Sequence, residues 1–178
     1  MKAFVKNILL AALLLVLTLL MALLMMFFYV YREPVRLVEH MEFGMTPREA
    51  ERVLGVPSYD ETVYIDVSDQ TYRYQEYEAE LLGYPATIRC EFARDWMRWT
   101  LWQCTIRLQD VPDEERLFQQ IVSKLTEEMA GLERFYIHEH SGFNVSIGVN
   151  RGPVGTDYLI SLKDKELTMI CHCSEYMR

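Results

Sequence analysis

The chain has 178 residues, of which 51% are hydrophobic, and its 26 acidic and 18 basic residues give a net charge of −8 at neutral pH. This acidic balance disfavours nucleic acid and anionic lipid headgroups as partners. The sequence contains no Gly-rich phosphate loop, no Gly-x-Ser-x-Gly elbow and no His-Glu-x-x-His helix, so it indicates no particular enzyme class.

The first predicted element is a membrane-spanning helix over residues 8–30, a run without charge in which only Thr18 and Tyr29 are polar. At ~1.5 Å per residue the run reaches ~34 Å, enough to cross a hydrocarbon core of ~30 Å. It is longer than the apolar core of a cleavable signal peptide, so an uncleaved anchor is favoured. Lys2 and Lys6 favour a cytoplasmic N terminus. The sequence thus predicts a single-pass protein of the cell membrane, in contact with lipid through residues 8–30, with an extracytoplasmic body.

A short helix is predicted after Thr46. The Thr46 hydroxyl can cap it, Glu49 can return the hydrogen bond, and Pro47 occupies the first helical position. Gly55 and Pro57 end the helix.

A second helix is predicted from Asp113 to Ala130, with acidic residues in its first turn and Gly131 after it. Its apolar face consists of Leu117, Phe118, Ile121, Val122, Leu125 and Met129. This face predicts packing on a sheet.

Three tight turns predict antiparallel hairpins. A two-residue loop that begins with Gly83 would pair Glu78 with Arg89 and Tyr77 with Cys90. The other two registers pair Ile137 with Val145 across the loop His140-Ser141-Gly142, and Leu162 with Leu167 across Asp164-Lys165.

Further strands near residues 62–67 and 96–108 complete the predicted organisation. The apolar alternation changes phase in the second of these strands, and a bulge near Gln103 would account for the change. The predicted fold class is α+β, an N-terminal transmembrane helix followed by two units, each a helix plus an antiparallel meander. The predicted boundaries are 1–31 for the cytoplasmic tip and anchor, 32–110 for the first unit and 111–178 for the second.

The segment Gly44-Met45-Thr46 through Gly55-Val56-Pro57 resembles the Gly-Met-Thr helix of the small outer-membrane-assembly lipoproteins of the SmpA/OmlA group. The doubled plan of a helix and four strands is similar to that of the β-lactamase inhibitory protein. These resemblances imply an extracytoplasmic α/β module that binds other proteins and has no catalytic activity. The second half lacks a Gly-Met-Thr start and the chain lacks a lipidated cysteine, so a role in outer-membrane assembly is not implied.

A partner-binding surface is predicted on the strand face that points away from Ala79, Ile88 and Cys90. Tyrosine, tryptophan and arginine dominate binding hot spots. The candidate residues are Tyr72, Tyr74, Arg89, Trp96, Arg98 and Trp102. The alternative is that the other half of the chain, or the membrane surface, covers these rings.

Cysteine and histidine residues are candidate metal ligands at Cys171, Cys173, His138 and His140. A zinc site needs its ligands together. The predicted registers place the two cysteines on the inner face and the two histidines on the outer face, so no metal site and no cofactor are predicted.

The cysteines are also predicted to form no disulfide. If Arg94-Asp95 forms the loop, Cys90 lies opposite Trp99 and its sulfur is ~16 Å from that of Cys104. Cys171 and Cys173 lie on one strand at the strained limit of disulfide geometry. A disulfide between the two halves is left open only if their sheets adjoin at the strands that carry these cysteines.

The predicted function is that of a bitopic membrane protein whose extracytoplasmic domain binds another protein or a cell-envelope component. The alternative is a Cys/His-dependent hydrolase, or a redox or metal-binding enzyme of the cell envelope. Uptake of zinc or of a thiol-specific label would discriminate between these two functions.

Overall fold

A computed structural model describes residues 12–22, 32–95, 98–140, 142–150, 155–163 and 166–173. The chain divides into two compact units, Met1–Tyr31 and Arg32–Arg178.

The first unit contributes helix α1, residues 12–22. Within the part of the chain that the structure describes, no helix is both long and apolar enough to cross a membrane. The fold-class prediction of an N-terminal transmembrane helix is therefore wrong. Residues 8–11 and 23–30 of the predicted span lie outside the described residues.

The second unit is built mainly of strands. Its elements in chain order are β1 Glu33–Pro34, β2 Glu42–Phe43, α2 Pro47–Leu54, β3 Tyr59–Ile65, β4 Gln70–Leu81, β5 Tyr84–Asp95, β6 Arg98–Leu108, α3 Glu114–Met129, β7 Phe135–Glu139, β8 Asn144–Asn150, β9 Gly155–Lys163 and β10 Glu166–Cys173. Strands β1 and β2 pair with each other.

The two meanders join into one sheet. The eight strands follow the order β3-β4-β5-β6-β10-β9-β8-β7, and every neighbouring pair is antiparallel. A helix followed by four strands does occur twice in chain order, but β6 and β10, the last strand of each half, pair directly. In the described residues of the second unit, the predicted α+β fold with two meander units is thus corrected to one eight-stranded sheet with two helices, besides the β1–β2 pair.

The two faces of this sheet differ in exposure. Helix α2 contacts β4 and β6, and α3 contacts β8, β9 and β10. The buried face carries Tyr77, Ile88, Cys90, Phe92, Leu101, Cys104, Ile106, Met169, Cys171, Tyr158, Ile160 and Ile147. The alternate residues of the same strands are mostly half-buried or exposed and form what is called here the open face.

One of the three predicted registers is confirmed, because Leu162 does pair with Leu167. In the first hairpin Glu78 lies opposite Thr87 instead of Arg89. The two turn residues, Leu82 and Gly83, both have positive φ, as a type I′ turn requires. The loop therefore starts one residue earlier than predicted.

In the hairpin of β7 and β8, Ile137 lies opposite Ile147 instead of Val145. The last pair of the two strands is Glu139 with Val145, and the His140 N–H donates to the Asn144 carbonyl, so the turn lies one residue later than predicted. Both errors displace the partner by an even number of residues, so each side chain keeps its predicted face.

The predicted bulge is confirmed. Glu91 lies opposite Gln103, and Phe92 lies opposite Leu101, which leaves Trp102 as the extra residue of β6.

The predicted separation of Cys90 and Cys104 is wrong, because these residues lie directly opposite each other. Strand β5 continues to Asp95, which pairs with Arg98 at the start of β6, so the two strands turn two residues later than predicted. This displacement moves the partner of Cys90 by four residues along β6. The bulge moves the partner by one further residue, so Cys104 lies opposite Cys90, where Trp99 was predicted to lie. All four cysteines are buried thiols in the structure.

Helix α2 is capped at both ends as predicted. The Thr46 hydroxyl accepts a hydrogen bond from the Glu49 backbone N–H, and the Glu49 carboxylate accepts one from the Thr46 N–H at 2.7 Å. Gly55 ends the helix at φ +90°. The cap therefore rests on side chains within one short segment.

Loss of either cap is expected to destabilise the body. Thr46→Ala should lower the free energy of unfolding by about 1 kcal/mol. Gly55→Val should lower it further, because a β-branched side chain is strained at positive φ. Urea unfolding curves measure both changes. Wild-type midpoints for both variants would contradict this account of the helix ends.

Glu49 is expected to make stability depend on pH. Burial alone would raise the pKa of this carboxyl, but hydrogen bonds from Thr46 and the nearby Arg32 guanidinium outweigh burial and lower it. A carboxyl whose pKa is lowered by folding stabilises the protein above its unfolded pKa of about 4.3 and loses that contribution as pH falls through the folded pKa. Glu49→Gln should therefore be less stable than wild type at neutral pH, and the difference should shrink in acid. Urea midpoints measured across that range test this, and a difference independent of pH would contradict it.

Candidate functional site

Four predicted residues come together on the open face. The ring centres of Tyr72 and Trp102 are 6.0 Å apart, and those of Tyr72 and Tyr74 are 6.5 Å apart. The Arg89 guanidinium carbon lies 4.5 Å from the centre of the Tyr74 ring, within cation–π range. Tyr72, Tyr74, Arg89 and Trp102 are called the aromatic cluster below.

The sheet holds this cluster in place. Tyr72 and Tyr74 alternate on β4, Arg89 lies on β5, and the bulge brings Trp102 of β6 beside Tyr72. Leu101 and Cys104 are both buried, and strict alternation would allow only one residue between two buried positions of a strand. Because β6 has two there, Trp102 and Gln103, the extra residue of the bulge lets the Trp102 ring lie on the open face. All four side chains are half-buried.

Acidic groups surround the arginine of the cluster. Arg89 Nη1 lies 3.6 Å from Glu76 Oε1. Burial raises the pKa of Glu91, although Arg89 and a hydrogen bond from Gln103 oppose the rise. Burial also raises the pKa of the Tyr74 hydroxyl. The cluster thus combines apolar ring surface with a cation, and the partly desolvated carboxyl of Glu91 lies beside it.

Two donor atoms of the cluster, the Trp102 indole Nε1 and the Arg89 Nε, are buried and have no hydrogen-bond partner among the residues that the structure describes. Buried polar groups are usually hydrogen-bonded, so these two donors are notable features of the cluster.

Of the other two predicted residues, only Arg98 is described, and it pairs with a residue outside the cluster. Arg98 Nη2 lies 3.7 Å from Glu49 Oε2 in helix α2. Trp96 lies outside the described residues.

A row of polar residues, which sequence reasoning missed, extends from the cluster across the open face. Gln103 lies opposite both Glu91 and His172, and Asp157 lies opposite His172. His172 Nε2 is 3.7 Å from Asp157 Oδ2, and the Tyr136 hydroxyl donates a hydrogen bond to Asp157. Glu91, Gln103, His172, Asp157 and Tyr136 are called the polar row.

Gly148 makes room for one end of the polar row. A Cβ at this position would overlap the Tyr136 hydroxyl and the Asp157 carboxylate. A glycine inside a strand often marks such a close approach, and this was the signal available in the sequence.

The cysteines and histidines lie on different faces of the sheet. Cys171 and Cys173 are buried on the helix-covered face, whereas His138 lies on the open face and His140 follows it at the exposed end of β7. Within the described ranges, no three His, Cys, Asp or Glu side chains are grouped in a way that could hold a metal ion.

Comparison with known proteins gives no relative, since no protein-family model, curated protein sequence or solved structure matches the chain. The resemblance to the small outer-membrane-assembly lipoproteins and to the β-lactamase inhibitory protein stays a prediction.

Proposed function

We propose that the open face of the sheet binds another protein and that the aromatic cluster forms the centre of the interface, without catalysis. The observation that carries this proposal is the packing of Tyr72 against Trp102 and of Arg89 against Tyr74, at 6.0 Å and 4.5 Å. Aromatic and arginine side chains of this kind supply most of the free energy of binding at protein interfaces. Because three paired strands hold them, little rotamer entropy is lost when a partner docks.

The charges around the cluster favour a partner that brings basic residues to the rim of the interface. Acidic side chains of the open face include Glu61, Glu76, Glu78, Glu91 and Asp157, whereas its basic side chains include Arg89 and Arg107. Complementary charge at the rim of an interface speeds association and excludes wrong partners.

The alternative of a Cys/His-dependent enzyme receives less support. A nucleophilic thiol must reach a histidine, and Cys171 and His172 are neighbours in β10 whose side chains point to opposite faces.

Location at the cell membrane remains an expectation from the apolar sequence of residues 8–30. An N-terminal tag should remain on the mature protein and sediment with membranes. Recovery of a processed chain that begins near Arg32 would contradict this expectation.

Site-specific photocrosslinking tests the binding function. A photoreactive amino acid at Thr105, which lies opposite Arg89 on the open face, should yield a covalent adduct with the partner in cells. The same amino acid at Gln119, an exposed position on α3, is the matched control and should yield none. The Thr105 adduct should disappear when Trp102 is replaced by alanine. Adducts that form equally at both positions, or that persist without Trp102, would contradict the proposal.

A further inference from the structure

We propose that Cys90 and Cys104 form a cross-strand disulfide when the protein meets an oxidant of the disulfide class, and that Cys104 selects Cys90 over Cys171. The proposal rests on the register of three neighbouring strands. Cys90 of β5 lies opposite Cys104 of β6, which lies opposite Cys171 of β10. Three thiols therefore form a row across the buried face, and the middle one has two possible partners.

The hydrogen-bond pattern of β5 and β6 distinguishes the two pairs. The Gln109 N–H donates to the Pro85 carbonyl at 2.8 Å, which fixes one hydrogen-bonded position of this strand pair. Hydrogen-bonded and non-hydrogen-bonded positions alternate along an antiparallel pair. Cys104 is five positions from Gln109, so Cys90 and Cys104 occupy a non-hydrogen-bonded position.

Non-hydrogen-bonded positions bring side chains closer together. Their Cα atoms are ~4.5 Å apart, within the range of disulfides, and their side chains approach more closely than at hydrogen-bonded positions. The backbone groups of Cys104 then point toward β10, so Cys104 and Cys171 form the wider, hydrogen-bonded pair. Besides burial, the neighbouring Cys104 thiol contributes to raising the pKa of the Cys90 thiol.

The reaction is a thiol–disulfide exchange with a small disulfide such as oxidised glutathione. One cysteine loses its proton, and its thiolate attacks the glutathione disulfide, releasing one glutathione thiol and leaving a mixed disulfide. The second cysteine then loses its proton and attacks the protein sulfur, which releases the second glutathione thiol. Two protein thiols are oxidised to one disulfide, and one glutathione disulfide is reduced to two thiols.

Burial sets when this exchange takes place. Cys90 and Cys104 are fully buried, and burial raises the pKa of the Cys90 thiol, so the folded protein exposes no reactive thiolate at this pair. The bond therefore forms during folding or when the sheet opens locally. Once formed, it links β5 to β6 two residues from Trp102, beside the bulge.

Refolding of the full chain tests the proposal. Reduced, unfolded protein is refolded in a glutathione redox buffer, its remaining thiols are alkylated, and the product is analysed by mass spectrometry. We expect a chain two hydrogens lighter, with two alkylated cysteines and a peptide that links Cys90 to Cys104. Alkylation of all four cysteines, or a bond that includes Cys171, would overturn the proposal.

Single variants provide the matched controls. Cys90→Ala and Cys104→Ala should each abolish the bond, whereas Cys171→Ala should keep it. Folded wild-type protein incubated in the same buffer gives a second measurement, in which the bond should form more slowly than during refolding. Failure of the bond to form in both experiments would also overturn the proposal.

Discussion

Alanine in place of Trp102 is expected to weaken binding of the partner by about 2–4 kcal/mol, the range of a hot spot, while the fold remains intact. Trp102 is the extra residue of the bulge, and its ring lies against Tyr72 on the open face. Loss of one such ring contact should lower the free energy of unfolding by about 1 kcal/mol. Tyr74→Ala should act in the same way, because it removes the ring under Arg89. Photocrosslinking at Thr105 and urea unfolding measure the two effects.

The neighbouring residue provides the control. Leu101 is fully buried, so Leu101→Ala should lower the free energy of unfolding by about 2–5 kcal/mol. A loss of that size for Trp102→Ala would show that the indole belongs to the core and would contradict the proposed binding surface.

Tyr158→Ala is expected to give the largest loss of stability among the changes considered. Tyr158 is fully buried in β9, and its hydroxyl accepts a hydrogen bond from the Arg36 N–H at 3.0 Å and donates one to the Pro34 carbonyl at 3.2 Å. The side chain thus ties the β1–β2 segment to the second half of the sheet. Removal of a buried aromatic ring costs about 3–5 kcal/mol.

Tyr158→Phe separates the ring from its hydroxyl. This variant keeps the packing but leaves the half-buried Arg36 N–H without its acceptor, and we expect a loss of about 1–3 kcal/mol. Urea unfolding at neutral pH measures both variants. A smaller loss for alanine than for phenylalanine would contradict the assigned role of the ring.

Features encoded within a few residues could be predicted from the sequence. The cap of α2 needs only Thr46, Pro47, Glu49 and Gly55, which lie within one short segment. Helix α3 was predicted equally well, because Asp113 caps it and its apolar residues recur at helical spacing. In both helices the local chemistry and the packing favour the same structure.

Strand registers were less predictable, because they depend on which turn residues accept positive φ. The sequence predicts Gly83 as the first loop residue, yet Leu82 adopts φ +55° and the loop begins there. A leucine in this conformation is unfavourable by itself, and the pairing of two long strands outweighs the strain. The error preserved the face of each side chain, so Tyr72, Tyr74 and Arg89 were correctly assigned to the open face.

The parts of the candidate site that depend on distant pairing could not be predicted. The polar row exists only because β6 pairs with β10, which brings Gln103 beside His172. No local pattern specifies which edge strands of two meanders will meet. Trp102 was assigned to the correct surface, since the change of phase in β6 indicated the bulge.

The junction of β6 with β10 also determines the order in which the protein folds. Each meander contains only hairpins between strands that are adjacent in the chain, so its closure costs little entropy. The pairing of Leu108 with Leu167 must instead close a loop that contains α3 and three strands. Contacts of such long sequence separation form slowly. The two meanders are therefore expected to form first and independently, and their docking along β6 and β10 to limit the folding rate.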